Sequence, residues 1–213
     1  FPTRRSSDLL EMFAYGALAV LPKLVVSYVV GLGIEFVIAQ WKKEEIQEGF
    51  LVSGILIPMI VPVDCPLWIL AVATAFAVIF AKEVFGGTGM NVFNVALVTR
   101  AFLFFAYPTK MSGDAVWVSG ESIFGLGKSV DGLTAATSLG VASTAVDPNG
   151  YPAFSWDMVT GLIPGSIGET SVIAILLGAA VLLATGIASW KVMFSVFVGG
   201  SFMAFVFNTI GPD

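Results

Sequence analysis

The feature that most constrains this chain is an apolar run from Ala14 to Ala39, which only Lys23 and Glu35 interrupt. At 1.5 Å per helical residue, a run of this length crosses a hydrocarbon core of about 30 Å with some tilt. The rest of the chain has the same character, since 57% of its 213 residues are hydrophobic and 12% are charged. Soluble domains carry about 25% charged residues. The sequence therefore predicts an all-α, multi-pass membrane protein.

The composition also excludes several kinds of chemistry. The chain contains no histidine and a single cysteine, Cys65. One thiol cannot form an internal disulfide or a cysteine-cluster metal site, and the lack of histidine removes the commonest metal ligand and general base. A formal net charge of -5 does not favour binding to nucleic-acid phosphates. Redox or ion chemistry would therefore need a borrowed cofactor.

One apolar segment, 49–63, is too short for an ordinary span and is broken by Pro58 and Pro62. We interpret it as a half-helix or re-entrant segment, whose freed carbonyl groups must be shielded by protein or line a cavity. Asp64 follows directly. Broken helices coordinate ions in transporters, although a buried structural kink explains the same pattern, and both interpretations stay open.

The remaining apolar segments and their charged flanks predict a topology. Further spans are expected at 66–81, 91–107, 171–188 and 192–210, with 170–213 forming a helical hairpin. By the positive-inside tendency, four lysines at the segment ends mark the cytoplasmic side: Lys42, Lys43, Lys82 and Lys191. The stretch 108–169, rich in acidic residues, is then a loop on the outer face.

The two ends of the chain carry expectations of their own. Residues 1–9 lack an initiator Met and resemble a translated sequencing adapter, so we expect a non-native tail there, followed by membrane helices over 10–107. The last residues, 211–213, directly follow an apolar segment. We expect native sequence to be missing at both ends.

Three polar features stand out as candidate sites. Arg100 lies inside an apolar segment, where it needs a partner; it is either half of a buried ion pair or a counter-charge for an anionic cofactor. The glycine-rich turn Gly86–Gly89 either turns the chain tightly or cradles a phosphate with its N–H groups. A polar island at 131–139 holds three hydroxyls behind Asp131 and, taken alone, is a turn.

Four blocks, at 82–91, 100–108, 112–117 and 163–169, together resemble the NqrB family, the B-type membrane subunits of sodium-translocating NADH:quinone reductases. The related RnfD proteins of the Rnf complex share the Phe-Gly-Gly and Asn-Phe-Asn patterns. The first of these families is similar to the chain in more of the blocks.

The resemblance implies a covalent FMN, joined through its phosphate to the last threonine of an Asp-x-x-Ser/Thr-x-Ala-Thr motif. That residue is Thr137 here. The other residues that it implies around the flavin are Asp131, Gly132, Thr134, Ala136, Ser138 and Arg100, and those expected near an ion or quinone are Asp64, Glu83, Gly86 and Gly87. The chain departs from the family pattern at Ala135, where glycine is usual, and at Val95, where proline is usual.

The resemblance also implies a helical bundle similar to urea transporters, built from inverted repeats, of which this chain covers a part. It implies a subunit in the bacterial inner membrane that passes electrons toward riboflavin and a quinone, ubiquinone or menaquinone, coupled to sodium export. The implied partners are the other subunits and a flavin transferase that acts on the outer face. The alternatives are an Rnf subunit and a flavin-free solute channel.

Overall fold

A computed structural model describes residues 6–45, 48–111, 137, 140–142 and 154–210. All regular elements in these ranges are helical, which confirms the predicted all-α class. In chain order the helices are α1 (Ser6–Lys42), α2 (Phe50–Met59), α3 (Leu67–Ala77), α4 (Val95–Ala106), α5 (Pro108–Met111), α6 (Trp156–Thr160), α7 (Val172–Ala184) and α8 (Trp190–Ile210). The implied likeness to urea transporters stays a prediction.

Three helical stretches are long and apolar enough to cross a membrane: Phe13–Lys42, Leu67–Phe85 and Trp190–Ile210. They confirm the multi-pass membrane class. The helices formed within 91–107 and 171–188 are shorter than predicted, with 12 residues in α4 and 13 in α7. At about 18–20 Å each, they fall short of a hydrocarbon core of about 30 Å.

Local signals explain both short helices. The side chain of Asn94 caps α4 by accepting from the N–H groups of Ala96 (2.9 Å) and Leu97 (3.2 Å), so the helix begins four residues later than Asn91. After α7 the chain turns at Gly186, whose φ of 71° is disfavoured for other residues. The apolar stretches 91–107 and 171–188 are therefore longer than the helices that form within them.

The broken segment forms α2, which has 10 residues and Pro58 inside its last turn. This helix is about 15 Å long, half of a hydrocarbon core. The chain after it is irregular, yet Val61 and Pro62 are fully buried. Irregular backbone is tolerated at membrane depth only when protein covers it, and this cover is present. That the segment re-enters the membrane stays a prediction.

The span Leu67–Phe85, which begins with α3 and is called the third span below because the broken segment precedes it, is longer than the predicted 66–81. Beyond Ala77 the chain continues through a π-helical turn, Val78–Lys82, and a 3-10 turn, Glu83–Phe85. We expected the span to end at Lys82, but it continues to Phe85. Lys82 itself is 3% exposed. It is held inside the protein by an acidic partner, described below.

Helices α1 to α4 pack around one core. Its fully buried side chains include Phe50 of α2, Leu70 of α3 and Leu103 of α4. Gly54 lets α2 approach α1 closely, since a Cβ there would come within 2.6 Å of the Tyr28 ring. Close approach at small residues is a common way of packing membrane helices.

The segment Ser171–Asp213 forms a separate compact unit. Its helices α7 and α8 are apolar, and the spanning stretch Trp190–Ile210 has none of its residues buried. Lys191 lies in the first turn of α8. The predicted hairpin and the cytoplasmic position of its turn stay predictions.

The single cysteine offers a chemical check on the buried irregular segment. Cys65 is 5% exposed, and burial raises the pKa of its thiol while the nearby Lys23 and Lys110 oppose that shift. Because alkylation requires the thiolate, a raised pKa lowers the reactive fraction at neutral pH. We expect labelling by a maleimide to be slow in mild detergent and fast in SDS.

The matched control for this labelling is a cysteine in place of the exposed Lys191 in a Cys65→Ser background, which should react fast in both detergents. Equal rates for Cys65 in mild detergent and in SDS would contradict the buried position.

Candidate functional site

A buried ion pair joins the first and third helices. Glu35 of α1 bonds to Lys82 in the π-helical turn, and both side chains are 4% exposed. The second carboxylate oxygen of Glu35 is buried without a hydrogen-bond partner. Charges at this depth are costly unless they are paired, so the pair holds the two helices in one register.

A second pair lies beside the first. The ammonium of Lys42 bonds to the Glu83 carbonyl (2.9 Å) and lies 3.5 Å from the Glu83 carboxylate. The carboxyl ends of α1 and of the third span therefore lie side by side, as the predicted topology requires. A cavity of about 20 Å³ opens here between Glu35, Glu83 and Gly87, which is room for about one water.

The glycine turn follows directly after this charge cluster. Gly86, Gly87 and Gly89 all have positive φ. The N–H of Gly86 bonds to the Glu83 carbonyl (3.3 Å) and that of Gly87 to the Lys82 carbonyl (3.0 Å), while the N–H of Gly89 bonds to the Asn91 side chain (3.3 Å). Since these donors are used within the turn, the geometry favours tight turning over a phosphate cradle.

Arg100 finds its partner across a long sequence distance. One nitrogen, Nη1, lies 3.1 Å from each carboxylate oxygen of Glu169, and the Ser166 hydroxyl also bonds to that carboxylate. The two charged side chains are 34% and 51% exposed. The contact is thus a partly exposed tie between α4 and the 161–170 loop, in place of the buried pair that we considered.

The same loop closes the end of the broken helix. The N–H of Gly168 donates to the Met59 carbonyl at the end of α2 (3.0 Å). A Cβ on Gly168 would lie 3.0 Å from the Met59 Cβ, so a small residue suits this approach. One carbonyl freed where the helix breaks therefore has a protein donor, as a membrane interior demands.

At the opposite end of the third span, Asp64 lies in an open cleft of about 500 Å³. We name it the Lys23 cleft; its lining includes Leu18, Lys23, Asp64, Cys65, Leu67 and Lys110. Lys23 is 5% exposed and donates to the Ala19 carbonyl (2.9 Å). The cleft places Asp64 beside two lysines, which the sequence alone did not indicate.

Thr137 is the one residue of the flavin motif that the structure describes. It is half-buried, and its Oγ1 accepts from the Gly140 N–H (3.1 Å) while its carbonyl accepts from the Val141 N–H (2.9 Å). Residues 140–142 are helical. These bonds, three and four residues ahead, are those of a helix N-cap. The other motif residues, Asp131, Gly132, Thr134, Ala136 and Ser138, lie outside the described residues.

Sequence reasoning did not select Glu35, Lys23, Glu169 or Ser166 as site residues. A signal was present for the first two, because a charge inside an apolar run should be buried against a partner or a cavity. Glu169 and Ser166 lie in the block 163–169 that carries the resemblance, but nothing local gave them a role, which comes from the contact of Glu169 with Arg100 of α4.

The Arg100–Glu169 tie should be weak. A single nitrogen shared between two oxygens is poorer than a fork of two nitrogens, and exposed pairs contribute about 0.2–1 kcal/mol. We expect Glu169→Gln to lower the free energy of unfolding by about 1 kcal/mol or less. A double-mutant cycle with Arg100→Gln measures this, and additive single effects would show that the pair contributes nothing.

Together these features define a class: a polytopic helical membrane protein with a broken second helix, buried charge between its spans and a threonine that caps a helical turn in a polar stretch. The sequence model of the family described as NQR2, RnfD, RnfE matches residues 8–213. The chain belongs to this family.

Curated relatives agree with this assignment. The chain is 46% identical over 202 residues to a protein of Chromohalobacter salexigens, 94% of this chain and 47% of the relative. It is 44% identical over 209 residues to one of Azotobacter vinelandii, 97% and 49%, and 43% identical over 207 residues to one of Pseudomonas aeruginosa, 96% and 49%. Each relative is named as the B-type subunit of a Na(+)-translocating NADH-quinone reductase. The chain spans about half the length of these relatives.

Proposed function

We propose that this chain is part of the membrane subunit of a sodium-translocating NADH:quinone reductase and carries FMN covalently on Thr137. Family membership supports the subunit, and the observation that carries the flavin assignment is the geometry of Thr137. This residue holds a half-buried hydroxyl at the start of a helical turn, at the position that matches the flavin-linked threonine of the family.

The surroundings of Thr137 fit a phosphoester. The hydrogen bond here uses Oγ1 as an acceptor from the Gly140 N–H, and an ester oxygen keeps acceptor capacity after the hydroxyl proton is replaced. The side chain is also partly exposed, as modification by an enzyme requires.

In this proposal the flavin supplies the electron chemistry, and the protein supplies position, electrostatics and exclusion of water. Electrons pass from the FMN toward riboflavin in the complete subunit and on to ubiquinone or menaquinone, coupled to sodium export by the assembled complex. The subunit lies in the bacterial inner membrane with its flavin loop on the outer face. Its further partners are the other subunits and a flavin transferase.

The proposal also places Arg100 near the flavin. Its guanidinium already has the carboxylate of Glu169 as a partner, so its role toward a flavin would require that partner to be shared. Glu83 and the two glycines that follow it, Gly86 and Gly87, are engaged in the ion pair and turn described above. Asp64 lies on the Lys23 cleft, at the other end of the third span.

The test is the mass of the chain after co-expression with a bacterial flavin transferase. We expect one covalent FMN adduct and flavin fluorescence that persists in a denaturing gel. A chain of unmodified mass, in a preparation where a known substrate of the same transferase is modified, would overturn the proposal. It would also favour the alternative of a flavin-free channel, for which the broken helix α2 is the supporting feature.

An Rnf subunit is the second candidate, because the matching family includes RnfD. The mass of the adduct tests the flavin and not the complex to which the subunit belongs. The rate of quinone reduction in the complete complex separates the two candidates, since the proposal requires it to depend on sodium and to proceed from NADH.

A further inference from the structure

The Lys23 cleft lies at the start of the span Leu67–Phe85 and about ten residues inside the longer span Phe13–Lys42. The Glu35–Lys82 pair fixes α1 against the third span, and both helices run in the same direction from the cleft to that pair. Lys23 is about 18 Å from Glu35 along α1, and Leu67 is about 22 Å from Lys82. The cleft therefore lies near the start of the third span, opposite to the charge cluster.

Two aromatic residues lie at the same end of the third span as the cleft. Trp68, in the first turn of α3, is 62% exposed and contacts Tyr107 edge to face, with ring centroids 5.9 Å apart. Exposed tryptophan and tyrosine concentrate at the boundary between hydrocarbon and headgroups. Since Leu67–Phe85 has 19 residues, about 28 Å, its other end reaches the far boundary.

The charges of the cleft suit an anion. Two basic side chains, of Lys23 and Lys110, and one carboxylate, of Asp64, line the cleft. The two cations differ in burial: Lys23 is 5% exposed, while Lys110 is exposed on the one-turn helix α5. Apolar Leu18 and Leu67 line the same cleft, so it offers a basic part beside surface that an acyl chain can cover.

We propose that the Lys23 cleft binds the phosphate of an anionic phospholipid at the membrane boundary. Lys110 contacts the phosphate from the water side and Lys23 from the protein side, while the acyl chains lie against the apolar lining. Basic pockets between spanning helices are a known form of lipid recognition. Free phosphate shares the chemistry of the headgroup, but the apolar lining and the aromatic level favour the lipid.

The test is native mass spectrometry of the full chain in mild detergent, with phosphatidylglycerol and phosphatidylcholine added in equal amounts. We expect a preference for phosphatidylglycerol that falls about fivefold with Lys110→Gln, from about 1 kcal/mol per basic residue near a membrane surface. Lys23→Met should act in the same direction, and Asp64→Asn should strengthen binding. The matched control is Lys43→Gln, an exposed lysine at the other end of α1.

Because Lys110 is exposed, its replacement decides the result even where Lys23→Met prevents folding. An unchanged preference in Lys110→Gln, or an equal loss in Lys43→Gln, would overturn the proposal. Inorganic phosphate at millimolar concentration provides the second arm. If it displaces phosphatidylglycerol, the cleft takes free phosphate and the lipid assignment is wrong.

Discussion

Replacing Lys82 with methionine is expected to lower the free energy of unfolding by about 3–5 kcal/mol, the cost of leaving a buried charge without its partner. The partner is Glu35, whose carboxylate is 4% exposed and already has one oxygen without a hydrogen bond. Methionine fills similar volume, so the effect reports the lost charge and only secondarily the packing. Chemical unfolding in detergent, followed by tryptophan fluorescence, measures it.

A second substitution separates the charge effect from general damage at this position. Adding Glu35→Gln to Lys82→Met removes the buried anion, and replacing both members of such a pair is often close to neutral. The double variant should therefore regain much of the stability that the single variant loses. A double variant as unstable as Lys82→Met alone would show that the pair does not hold the helices together.

Replacing Thr137 with valine is expected to abolish covalent flavin, because the phosphoester has no oxygen to form on. Valine also removes the N-cap bond to Gly140, which is worth about 1 kcal/mol. Thr137→Asn distinguishes the two losses, since asparagine is a good N-cap but has no hydroxyl. We expect neither variant to carry flavin and Thr137→Ser to carry it.

Intact mass and in-gel fluorescence read out this series. Ser138→Ala serves as the control for a neighbouring hydroxyl and should leave the adduct unchanged. Flavin retained in Thr137→Asn would assign the attachment to another residue, and flavin lost in Ser138→Ala alone would assign it to Ser138.

The helical class of the fold followed from the sequence because it depends on local composition. The apolar run around α1 and the two prolines near α2 are visible in the sequence alone. They predicted a long first helix and a short, broken second segment, and the structure has both. Helix ends were less predictable. The third span passes Lys82 because a carboxylate 47 residues earlier in the chain holds that lysine inside the protein, and no window of local sequence contains both groups.

In the candidate site, too, local features were predictable and contacts between distant segments were not. A glycine cluster predicts a turn because its glycines tolerate positive φ, and the turn formed at Gly86–Gly89. The partner of Arg100 was required by its charge but not identified, since Glu169 lies 69 residues away in the chain. The Lys23 cleft needed the folded arrangement of three segments. Contacts between distant segments set this chemistry, and a single sequence does not reveal them.

The π-helical turn at Val78–Lys82 has a consequence for how this segment tolerates changes in length. A π-helical turn holds an extra residue compared with an α-helical one, so deleting one residue there would allow an ordinary α-helix to form. Because the wide turn takes up that residue, such a deletion would leave the following charges close to α1, whereas a deletion within Leu67–Ala77 would rotate them by about 100°. The π-helical turn is therefore the place in this span where a change of one residue in length is best tolerated.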